Sequence, residues 1–282
     1  MKNRYFAEFY ELAIKEDIGN GDHTSLSCIQ IGQKGKAKLI IKDNGIVAGV
    51  EAAKEIFFNF DHLLNLEILI PDGKEVKPGD IIFIVEGAVH SILQTERLIL
   101  NIMQRMSGIA TLTNKFVKKL DGLKTKVLDT RKTTPCFRFY EKEAVRIGGG
   151  ENHRFGLYDM VLIKDNHIDF AGGIDNAIYR TRKYLKENKL DLKIEIEARN
   201  VDEISKIISI GGVDRIMLDN FSIEDTVKAV KLIDSKFETE SSGGITLDTI
   251  RSYAECGVDY ISTGAITHQF KSLDMSLKAI KI

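Results

Sequence analysis

The sequence predicts an α/β protein in two parts: a mixed α and β region, followed by a parallel α/β barrel that can be open or incomplete. Its length of 282 residues accommodates a small domain and a barrel. From about Lys126 onward, short apolar segments alternate with amphipathic ones, which is typical of right-handed βαβ units and a parallel sheet. Polar residues follow each apolar segment, at the strand ends where a parallel barrel holds its active site.

Mixed α and β structure is expected in the first part of the chain. Apolar residues at helical spacing share one face of residues 5–15, and the apolar run at residues 81–85 has the length of a strand. The predicted helices cover residues 5–15, 51–58 and 91–113, and the predicted strands cover residues 36–41 and 81–85. The last of these helices is expected to break near Ser107 and Gly108.

Six apolar segments are predicted to form the strands of the barrel. Helices are predicted between most of them, for example at residues 201–210 and 223–233. At least six such units favour a barrel, open or incomplete, over a two-layer sheet. The six strands are KVLD from Lys126, DMVLIK from Asp159, LKIEIEA from Leu192, RIMLD from Arg215, FETESS from Phe237 and DYIST from Asp259.

Charged and small polar residues collect at the carboxyl ends of these strands. Taken alone, a pair such as Arg131-Lys132 is usually solvated surface. Glu195 and Glu197 lie two residues apart on a strand and therefore face the same side. Inside a buried parallel strand, two carboxylates need cationic or metal partners. Six polar strand ends in register predict one concave polar mouth.

The residues at this mouth indicate an anionic ligand. Arginine binds carboxylates and phosphates through two hydrogen bonds, and lysine supplies a point charge. The basic candidates are Arg97, Arg131, Lys132, Arg138, His153, Arg154 and Lys164. Glu197 and Asp219 could hold ribose hydroxyls, a magnesium ion or a developing positive charge. Backbone N–H groups that could cradle a phosphate follow the last two strands, at Ser242, Gly243, Gly244, Gly264 and Ala265. The predicted substrate is an acid with more than one carboxylate, a phosphorylated sugar, or both.

Composition argues against several other classes of protein. The formal net charge of -1 gives no general basic field for nucleic acid or a membrane surface. The longest apolar runs have strand length, well short of the roughly 20 residues of a membrane helix, and the N-terminus lacks the apolar core of a signal peptide. Cys28, Cys136 and Cys256 form no C-x-x-C pair. We therefore expect a cytoplasmic protein with reduced thiols.

Seven segments, in this order, resemble the quinolinate phosphoribosyltransferase family over nearly the whole chain. One of them alone would be weak evidence, whereas seven in order are specific. They are KEDIGNGDHTS (residues 15–25), ERLILNIMQRMSGIAT (96–111), DTRKTTP (129–135), AVRIGGGENHRFGLYDMVLIKDNHI (144–168), IMLDN (216–220), ESSGGI (240–245) and GVDYISTGAITH (257–268).

The resemblance implies both an architecture and an activity. The fold would be α/β, with an N-terminal α/β sandwich domain (residues 1–112), a C-terminal open, incomplete parallel α/β barrel (113–268) and a final segment (269–282) that packs back on the N-terminal domain. The activity would be phosphoribosyl transfer from phosphoribosyl pyrophosphate to quinolinate with decarboxylation. The products would be nicotinate mononucleotide, pyrophosphate and CO2, in de novo NAD biosynthesis.

The resemblance further implies Mg²⁺ bound with phosphoribosyl pyrophosphate and no organic cofactor. It also implies a homodimer with shared active sites, or a higher oligomer, in which the N-terminal domain of one subunit covers the barrel mouth of its partner. In that arrangement Arg97 resembles the family arginine donated across the interface.

By position, several residues match functional residues of the family. The implied quinolinate pocket is Arg131, His153, Arg154 and Lys164. The implied catalytic residues are Lys132, near the pyrophosphate, and Glu197 and Asp219, near the ribose and as indirect ligands of magnesium. The implied cradle for the 5′-phosphate is Ser242, Gly243, Gly244, Gly264 and Ala265. After DTRKTTP the family usually continues Gly-Leu-Arg, whereas this chain has Cys136-Phe137-Arg138. Arg138 is retained for substrate binding, and a larger residue in place of glycine is expected to change the loop's backbone.

Three other readings compete with this one. A paralogous phosphoribosyltransferase-like protein of molybdate-transport operons would be expected to differ around Lys164, where this chain keeps LIKDNH intact. A non-catalytic binder of phosphorylated ligands would need the cradle but not Glu197 and Asp219. A Schiff-base aldolase would use a desolvated lysine. The position of Lys164 at a strand end leaves that reading open, although its basic neighbours favour anion binding.

Overall fold

A computed structural model describes residues 2–280 of the protein, with side chains from Tyr5 onward. Met1, Lys281 and Ile282, at the ends of the first and last predicted segments, lie outside the described residues. The protein forms two compact units. The first contains the chain before Lys115, residues 133–149 and the chain from Thr267 onward, and the second contains Lys115–Lys132 and Gly150–Ile266. The boundaries expected after residues 112 and 268 stay predictions, and this division also assigns residues 133–149 to the first unit.

Helices and strands alternate along most of the chain. Up to the end of a long helix, they are α1 (Lys2–Ile18), α2 (His23–Cys28), β1 (Lys34–Ile41), β2 (Gly45–Ile46), α3 (Val50–Phe60), β3 (Asn65–Ile68), β4 (Glu75–Val76), β5 (Ile81–Ala88) and α4 (Val89–Lys119). The remaining elements are β6 (Lys126–Leu128), α5 (Arg138–Ile147), β7 (Val161–Ile163), α6 (Asp165–Ala171), α7 (Ile174–Glu187), β8 (Ile194–Ala198), α8 (Val201–Ile210), β9 (Arg215–Asp219), α9 (Ile223–Ile233), β10 (Glu238–Ser242), α10 (Ile250–Glu255), β11 (Tyr260–Ser262), α11 (Ala265–His268) and β12 (Met275–Ile280).

The first unit is built on a four-stranded antiparallel sheet with the order β12-β1-β5-β3. Successive side chains of a strand point to opposite faces, and β1 buries Ala37, Leu39 and Ile41 at alternate positions. Leu39 lies opposite Leu277 of β12 and Phe83 of β5, so that one apolar row crosses three strands. The strand nearest the C-terminus thus completes the sheet in which β1 lies.

The break expected in the long helix at Ser107 and Gly108 is wrong, because α4 runs without interruption from Val89 to Lys119. The small residues serve close packing instead. The Ser107 hydroxyl donates to the carbonyl of Ala48 and accepts from the Ala48 N–H at 2.9 Å. A side chain at Gly108 would collide with the carbonyl of Lys271 and the ring of Phe270. Gly108 therefore allows another segment to lie against the helix.

The second unit contains a six-stranded parallel sheet with the order β6-β11-β10-β9-β8-β7. All six predicted strands form, and the predicted helices at residues 201–210 and 223–233 are α8 and α9. Neighbouring strands follow chain order except that β6 pairs with β11. Strands β6 and β7 are not paired; instead Leu128 of β6 makes a single parallel bridge to Glu151. The sheet is therefore an open, incomplete barrel, as predicted.

The strands of this sheet form the core of the second unit, and polar side chains cap the helices that follow β8 and β9. All five residues of β8 are buried, as are the first four of β9. The Asn200 side chain accepts from the N–H of Glu203 at the start of α8, and Ser222 accepts from the N–H of Asp225 at the start of α9. Within residues 2–280, no helix combines the length and the apolar character needed to cross a membrane.

Candidate active site

The carboxyl ends of β7 and β8 bring a lysine and a carboxylate into contact. Lys164 directly follows β7, and its Nζ lies 2.8 Å from Oε1 of Glu197 on β8. The other oxygen of Glu197 accepts from the N–H of Asp165 at 3.4 Å, at the start of α6. The Lys164 side chain is 46% exposed, whereas that of Glu197 is 9% exposed. The lysine therefore reaches solvent at the mouth while its partner stays buried in the strand.

Two arginines approach each other beside this ion pair. Arg154 is half-buried, and its Nη1 donates to the carbonyl of Met160 at 3.2 Å. Burial, followed by the nearby charge of Arg131, lowers the pKa of the Arg154 guanidinium, while Glu195 and Glu197 oppose that shift. Two guanidiniums that repel each other are both stabilised when an anion enters between them. The predicted residues Arg131, Arg154 and Lys164 thus belong to one cationic region of the second unit.

His153 is placed differently from these cations, because its ring is turned into the unit. The ring is 6% exposed. Its Nδ1 accepts from the N–H of Arg154 at 2.7 Å, and its Nε2 lies 2.8 Å from Oε2 of Glu195. The backbone N–H of His153 donates to Asp129 at 2.8 Å. Contact between the His153 ring and a substrate stays a prediction.

A buried group of charges lies beneath the mouth. Glu195 and Glu240 are both fully buried, on β8 and β10, and Nε2 of His153 is 3.6 Å from Oε2 of Glu240. Arg215 of β9 donates to the same oxygen of Glu240 at 2.9 Å and also binds Glu238. Burial raises the pKa of Glu195 to about 7, against the opposing charge of Arg215. Burial and the charge of Glu195 raise the pKa of Glu240 to about 7 as well.

Asp219 ends β9 at the same edge of the sheet, where Asn220 holds it in place. The Asn220 side chain donates to Oδ2 of Asp219 at 3.0 Å. Asn220 has a φ of 56°, in the left-handed region that asparagine tolerates better than most residues. Its N–H donates to the carbonyl of Ser242 at 2.9 Å, linking the ends of β9 and β10. Asp219 is half-buried, so its carboxylate can be reached from the mouth.

The predicted phosphate cradle follows β10 and β11. Gly243 and Gly244 have φ of 96° and 61°, and a side chain at Gly243 would strike Asn220. A side chain at Gly244 would meet nothing, so the turn is open at that point. After β11, the N–H of Ala265 donates to the Thr263 hydroxyl at 3.3 Å, and Gly264 is buried. Binding of phosphate by these backbone groups and by Ser242 stays a prediction.

The remaining predicted residues lie in two places. Lys132 is exposed in the second unit, where its N–H donates to the Thr130 hydroxyl at 3.0 Å. Arg97 and Arg138 belong to the first unit: Arg97 is exposed on α4, and Arg138 begins α5 and donates to Thr133 at 2.9 Å. Their predicted roles toward the substrate are not tested by either unit taken alone.

The loop with Cys136 and Phe137, in which this chain departs from the family pattern, is held by contacts with other residues of the first unit. Cys136 is exposed and has a φ of 63°, the region that favours glycine. Beside it, the fully buried Glu141 accepts from Arg105 Nε at 2.9 Å and from the N–H of Thr134 at 3.1 Å. Phe137 packs against Phe9 and Tyr140, with ring centroids 5.5 and 5.0 Å apart. Phe137 is accommodated by this aromatic packing, whereas Cys136 adopts the backbone conformation that favours glycine.

Sequence reasoning missed several residues that shape the site. Glu240, Arg215, Asp129 and Asn220 were not singled out as contributors. A signal existed for two of them, because Arg215 begins the apolar strand β9 and Glu240 lies at the centre of β10, and a charge buried in a sheet needs a partner. A weaker signal pointed to Asn220, which directly follows a strand, because asparagine adopts the left-handed conformation more readily than most residues.

Fold and site together define a class of protein: an open parallel α/β barrel whose mouth combines cations for an acidic substrate with buried carboxylates and a glycine turn. The chain belongs to the quinolinate phosphoribosyltransferase family. The family model "Quinolinate phosphoribosyl transferase, C-terminal domain" matches residues 109–278, and the corresponding N-terminal model matches residues 22–107.

Individual proteins with names from this family are similar to this chain along most of their length. The chain is 44% identical to "Quinolinate phosphoribosyltransferase [decarboxylating] 1b" of Nicotiana tabacum, covering 95% of this chain and 80% of that one. It is 42% identical to the "Probable nicotinate-nucleotide pyrophosphorylase [carboxylating]" of Bacillus subtilis, covering 93% and 89%. The solved nicotinate-nucleotide pyrophosphorylase of Francisella tularensis superposes with a TM-score of 0.91 at 41% identity, covering 99% and 97%.

Proposed function

We propose that the protein transfers the phosphoribosyl group of phosphoribosyl pyrophosphate to quinolinate and releases CO2, giving nicotinate mononucleotide and pyrophosphate. The observation that carries the proposal is the cationic region of Arg131, Arg154 and Lys164 beside the carboxylate of Glu197. A dicarboxylate matches these cations, and a ribose that gains positive charge matches the carboxylates. The names of relatives more than 40% identical to this chain point to the same reaction.

The charges suggest how the reaction proceeds. The ring nitrogen of quinolinate attacks C1 of the ribose as the bond from C1 to the pyrophosphate oxygen breaks. Positive charge develops on the sugar, and Glu197 and Asp219 stabilise it. The ribosylated ring nitrogen is then cationic and stabilises the electron pair that stays on the neighbouring ring carbon when its carboxylate leaves as CO2. A proton from solvent replaces that carboxylate on the ring.

Lys164 has two consecutive partners in this scheme. Before substrate binds, its ammonium group is held 2.8 Å from Glu197. When a carboxylate of quinolinate binds Lys164, the lysine neutralises less of the negative charge on Glu197. Glu197 then interacts more strongly with the cationic sugar. Because no side-chain nucleophile is needed, holding two polyanions in register supplies much of the rate enhancement.

Magnesium fits this site as an ion brought by the substrate. Mg²⁺ prefers oxygen ligands and usually binds one or two carboxylates together with substrate phosphates. Glu197 and Asp219 offer carboxylate oxygens at adjacent strand ends, and each already has one oxygen bound by a side chain, from Lys164 and Asn220. Such an ion would neutralise charge on the pyrophosphate, while Lys132, Ser242 and Gly244 are proposed to hold the phosphates.

We also propose that the protein acts as a cytoplasmic homodimer with shared sites, or a higher oligomer. Arg97 supports this arrangement, because it is exposed on α4 of the first unit. A partner subunit would then supply Arg97 to the barrel mouth of the second unit.

The proposed reaction is tested directly with the purified protein, quinolinate, phosphoribosyl pyrophosphate and magnesium. The expected result is stoichiometric formation of nicotinate mononucleotide, pyrophosphate and CO2, measured by chromatography and by release of label from the 2-carboxylate. Lys164→Met should lose most of this activity, and Lys228→Met, at an exposed lysine bound to Asp225, should keep it. Wild-type protein that forms no nucleotide would refute the proposal.

A Schiff-base aldolase is disfavoured by the environment of Lys164. A catalytic amine of that kind can be activated by desolvation, whereas Lys164 is 46% exposed and its ammonium group is paired with the carboxylate of Glu197. Borohydride reduction in the presence of carbonyl compounds should therefore leave the mass of the protein unchanged. A reduced adduct on Lys164 would favour the aldolase.

A further inference from the structure

The buried group of His153, Glu195, Glu240 and Arg215 lies below the cationic region and has no role in the proposed reaction so far. It joins three adjacent strands and the loop before β7: Glu195 is on β8, Arg215 on β9 and Glu240 on β10. Glu195 and Glu240 are both 0% exposed and Arg215 is 8% exposed. Burial of so many charges is costly unless each is paired and hydrogen-bonded. Its presence beneath the mouth therefore calls for a functional explanation.

The hydrogen bonds around His153 determine which ring nitrogen carries the proton. An N–H donor, that of Arg154, points at Nδ1, so Nδ1 accepts and carries no proton. The ring proton is therefore on Nε2, which donates to Oε2 of Glu195 at 2.8 Å. Both nitrogens of the ring are thus bound by the protein itself, and the ring is 6% exposed.

The same geometry distinguishes this group from a metal site. The nitrogen and carboxylate oxygens of His153, Glu195 and Glu240 lie within 4.8 Å of one another, close enough to bind an ion. A metal on Nε2 would require the proton on Nδ1, where it would face the N–H of Arg154. In addition, Arg215 already donates to Glu240 at 2.9 Å. The donors in this group are therefore arranged for hydrogen bonds.

We infer that Glu195, Glu240 and Arg215 are positioning residues, which fix the His153 ring so that its Nδ1 holds the backbone of Arg154 and directs that guanidinium to the substrate. His153 would then contribute from inside the protein, by orienting its neighbour. The backbone of His153 is anchored as well, through its N–H to Asp129. This inference rests on the proposed function, because it assigns Arg154 to the binding of a substrate carboxylate.

Each contact in the series from Arg215 to His153 has a physical reason. Arg215 lies over the ring of Tyr260, 4.0 Å from its centroid, and binds Glu238 and Glu240, so its guanidinium is fixed. It holds Glu240, which limits where the neighbouring carboxylate of Glu195 can lie. One oxygen of each carboxylate, Oε1, is reached by no donor among the described residues. The two carboxyl groups can therefore hydrogen-bond to each other when they share a proton, which adds to the rigidity of the group.

The experiment separates positioning from structural support by comparing two substitutions of Glu195. Glu195→Gln keeps an oxygen that accepts from His153 Nε2, whereas Glu195→Leu removes it. Removing one partner from a buried group of charges usually destabilises the fold, so the Tm of Glu195→Leu should fall. The discriminating measurement is the KM: for Glu195→Leu we expect a KM for quinolinate raised about tenfold or more, from a misplaced guanidinium, with the KM for phosphoribosyl pyrophosphate unchanged. Glu195→Gln should restore the quinolinate KM to near the wild-type value.

Glu238→Gln is the matched control, since Glu238 is on the same strand as Glu240 and binds the same Arg215, but its side chain is 35% exposed. It should leave both KM values unchanged. If Glu195→Leu lowers the Tm while its quinolinate KM stays at the wild-type value, the group is merely structural and the inference fails. If the wild-type protein forms no nucleotide, the proposed function fails instead, and the two failures are thus distinguishable.

A spectroscopic measurement on the wild-type protein covers the case in which Glu195→Leu does not fold. Nitrogen-15 NMR of the histidine side chains, with the His153 signals assigned by comparison with His153→Gln, reports the tautomer directly. We expect the Nε2–H form, with both ring shifts unchanged on saturation with quinolinate. A proton on Nδ1, or a large quinolinate-dependent shift of either nitrogen, would show direct contact with the substrate and overturn the inference.

Discussion

At the scale of single residues, the two carboxylates of β8 have different partners and different exposure. Glu197 binds Lys164, which is 46% exposed, and Glu195 binds the His153 ring, which is 6% exposed. An exposed lysine can exchange its protein partner for a substrate carboxylate at little cost, whereas a buried ring cannot. Two residues of one type, two positions apart on one strand, thus have different proposed roles, Glu197 toward the substrate and Glu195 toward the scaffold.

The density of cations predicts strong selection between quinolinate and nicotinate, which lacks the second carboxylate. A site built to bind a group rejects the analogue that lacks it, because charges are left unpaired, and kcat/KM for nicotinate should be lower by about 10³ or more. Steady-state rates with both acids check this. Lys164→Met should lower the ratio of kcat/KM for quinolinate to kcat/KM for nicotinate, mainly by slowing the reaction of quinolinate. Similar turnover of the two acids would contradict the prediction.

Glu240 predicts a dependence of stability on pH. Its pKa is raised from 4.5 to about 7 in the folded protein, by burial and then by Glu195, against a hydrogen bond from Ser262 and the charge of Arg215. Between these pH values the unfolded chain has released the proton that the folded protein retains. The stabilisation is therefore complete below pH 4.5 and is lost as pH rises through 7, by on the order of a few kcal/mol.

Thermal unfolding between pH 5 and pH 8 measures this effect. The wild-type Tm should fall over that interval, and Glu240→Gln, which stays neutral, should show a smaller fall. Glu238→Gln, whose side chain is 35% exposed, should follow the wild-type curve. A Tm that rises steadily from pH 5 to pH 8 in the wild-type protein would contradict the sign of this argument.

At the scale of elements, periodicity predicted the long helices, strands β1 and β5 and the six barrel strands, because an amphipathic pattern records which face is buried. It did not predict β2, β3, β4 and β12. The same reasoning failed at Ser107 and Gly108, where small residues were taken for a break although α4 is continuous. Close approach of another segment depends on tertiary structure, which no local pattern records. Strand ends likewise predicted Lys164, Glu197 and Asp219, whereas the pairing of Arg215 with Glu240 required the order of the strands.

Gly108 provides a test at this scale. In an exposed helix, replacing glycine by alanine stabilises by about 1 kcal/mol. At Gly108 the added methyl group would meet the carbonyl of Lys271, so Gly108→Ala should instead destabilise by roughly 1–3 kcal/mol. Urea unfolding measures the difference. Asn101→Ala, at an exposed position of the same helix, should be neutral or stabilising. Stabilisation by Gly108→Ala would show that the close packing is not required.

At the scale of the whole molecule, the site is predicted to depend on residues from both units. Arg131, Lys132 and Lys164 of the second unit follow strands, where sequence reasoning found them, whereas Arg97 and Arg138 belong to the first unit. The resemblance to the family, and not the residue pattern, supplied the idea that Arg97 reaches a partner's barrel. A sequence pattern reports the burial of a face but not the surface that covers it.

Hybrid dimers test the shared site. Arg97→Ala and Lys164→Ala should each be inactive, because each removes one contribution to both sites. After the two variants exchange subunits, half of the dimers should be hybrids with one intact site, and roughly a quarter of the wild-type activity should return. Subunit exchange is followed independently by mass spectrometry of differently labelled chains. Complete exchange without recovery of activity would show that Arg97 does not act across the interface.

The pairing of β12 with β1 has a consequence for the order in which the chain folds during synthesis. The strand β1 is made early, whereas its partner, Met275–Ile280, leaves the ribosome only after the whole barrel sequence. The barrel segments can therefore collapse first, while the edge of β1 remains open to incorrect pairing. Chaperones that shield unpaired strands would then be needed during translation, and a stop codon placed before residue 275 should yield aggregated chains even though every barrel residue has been made.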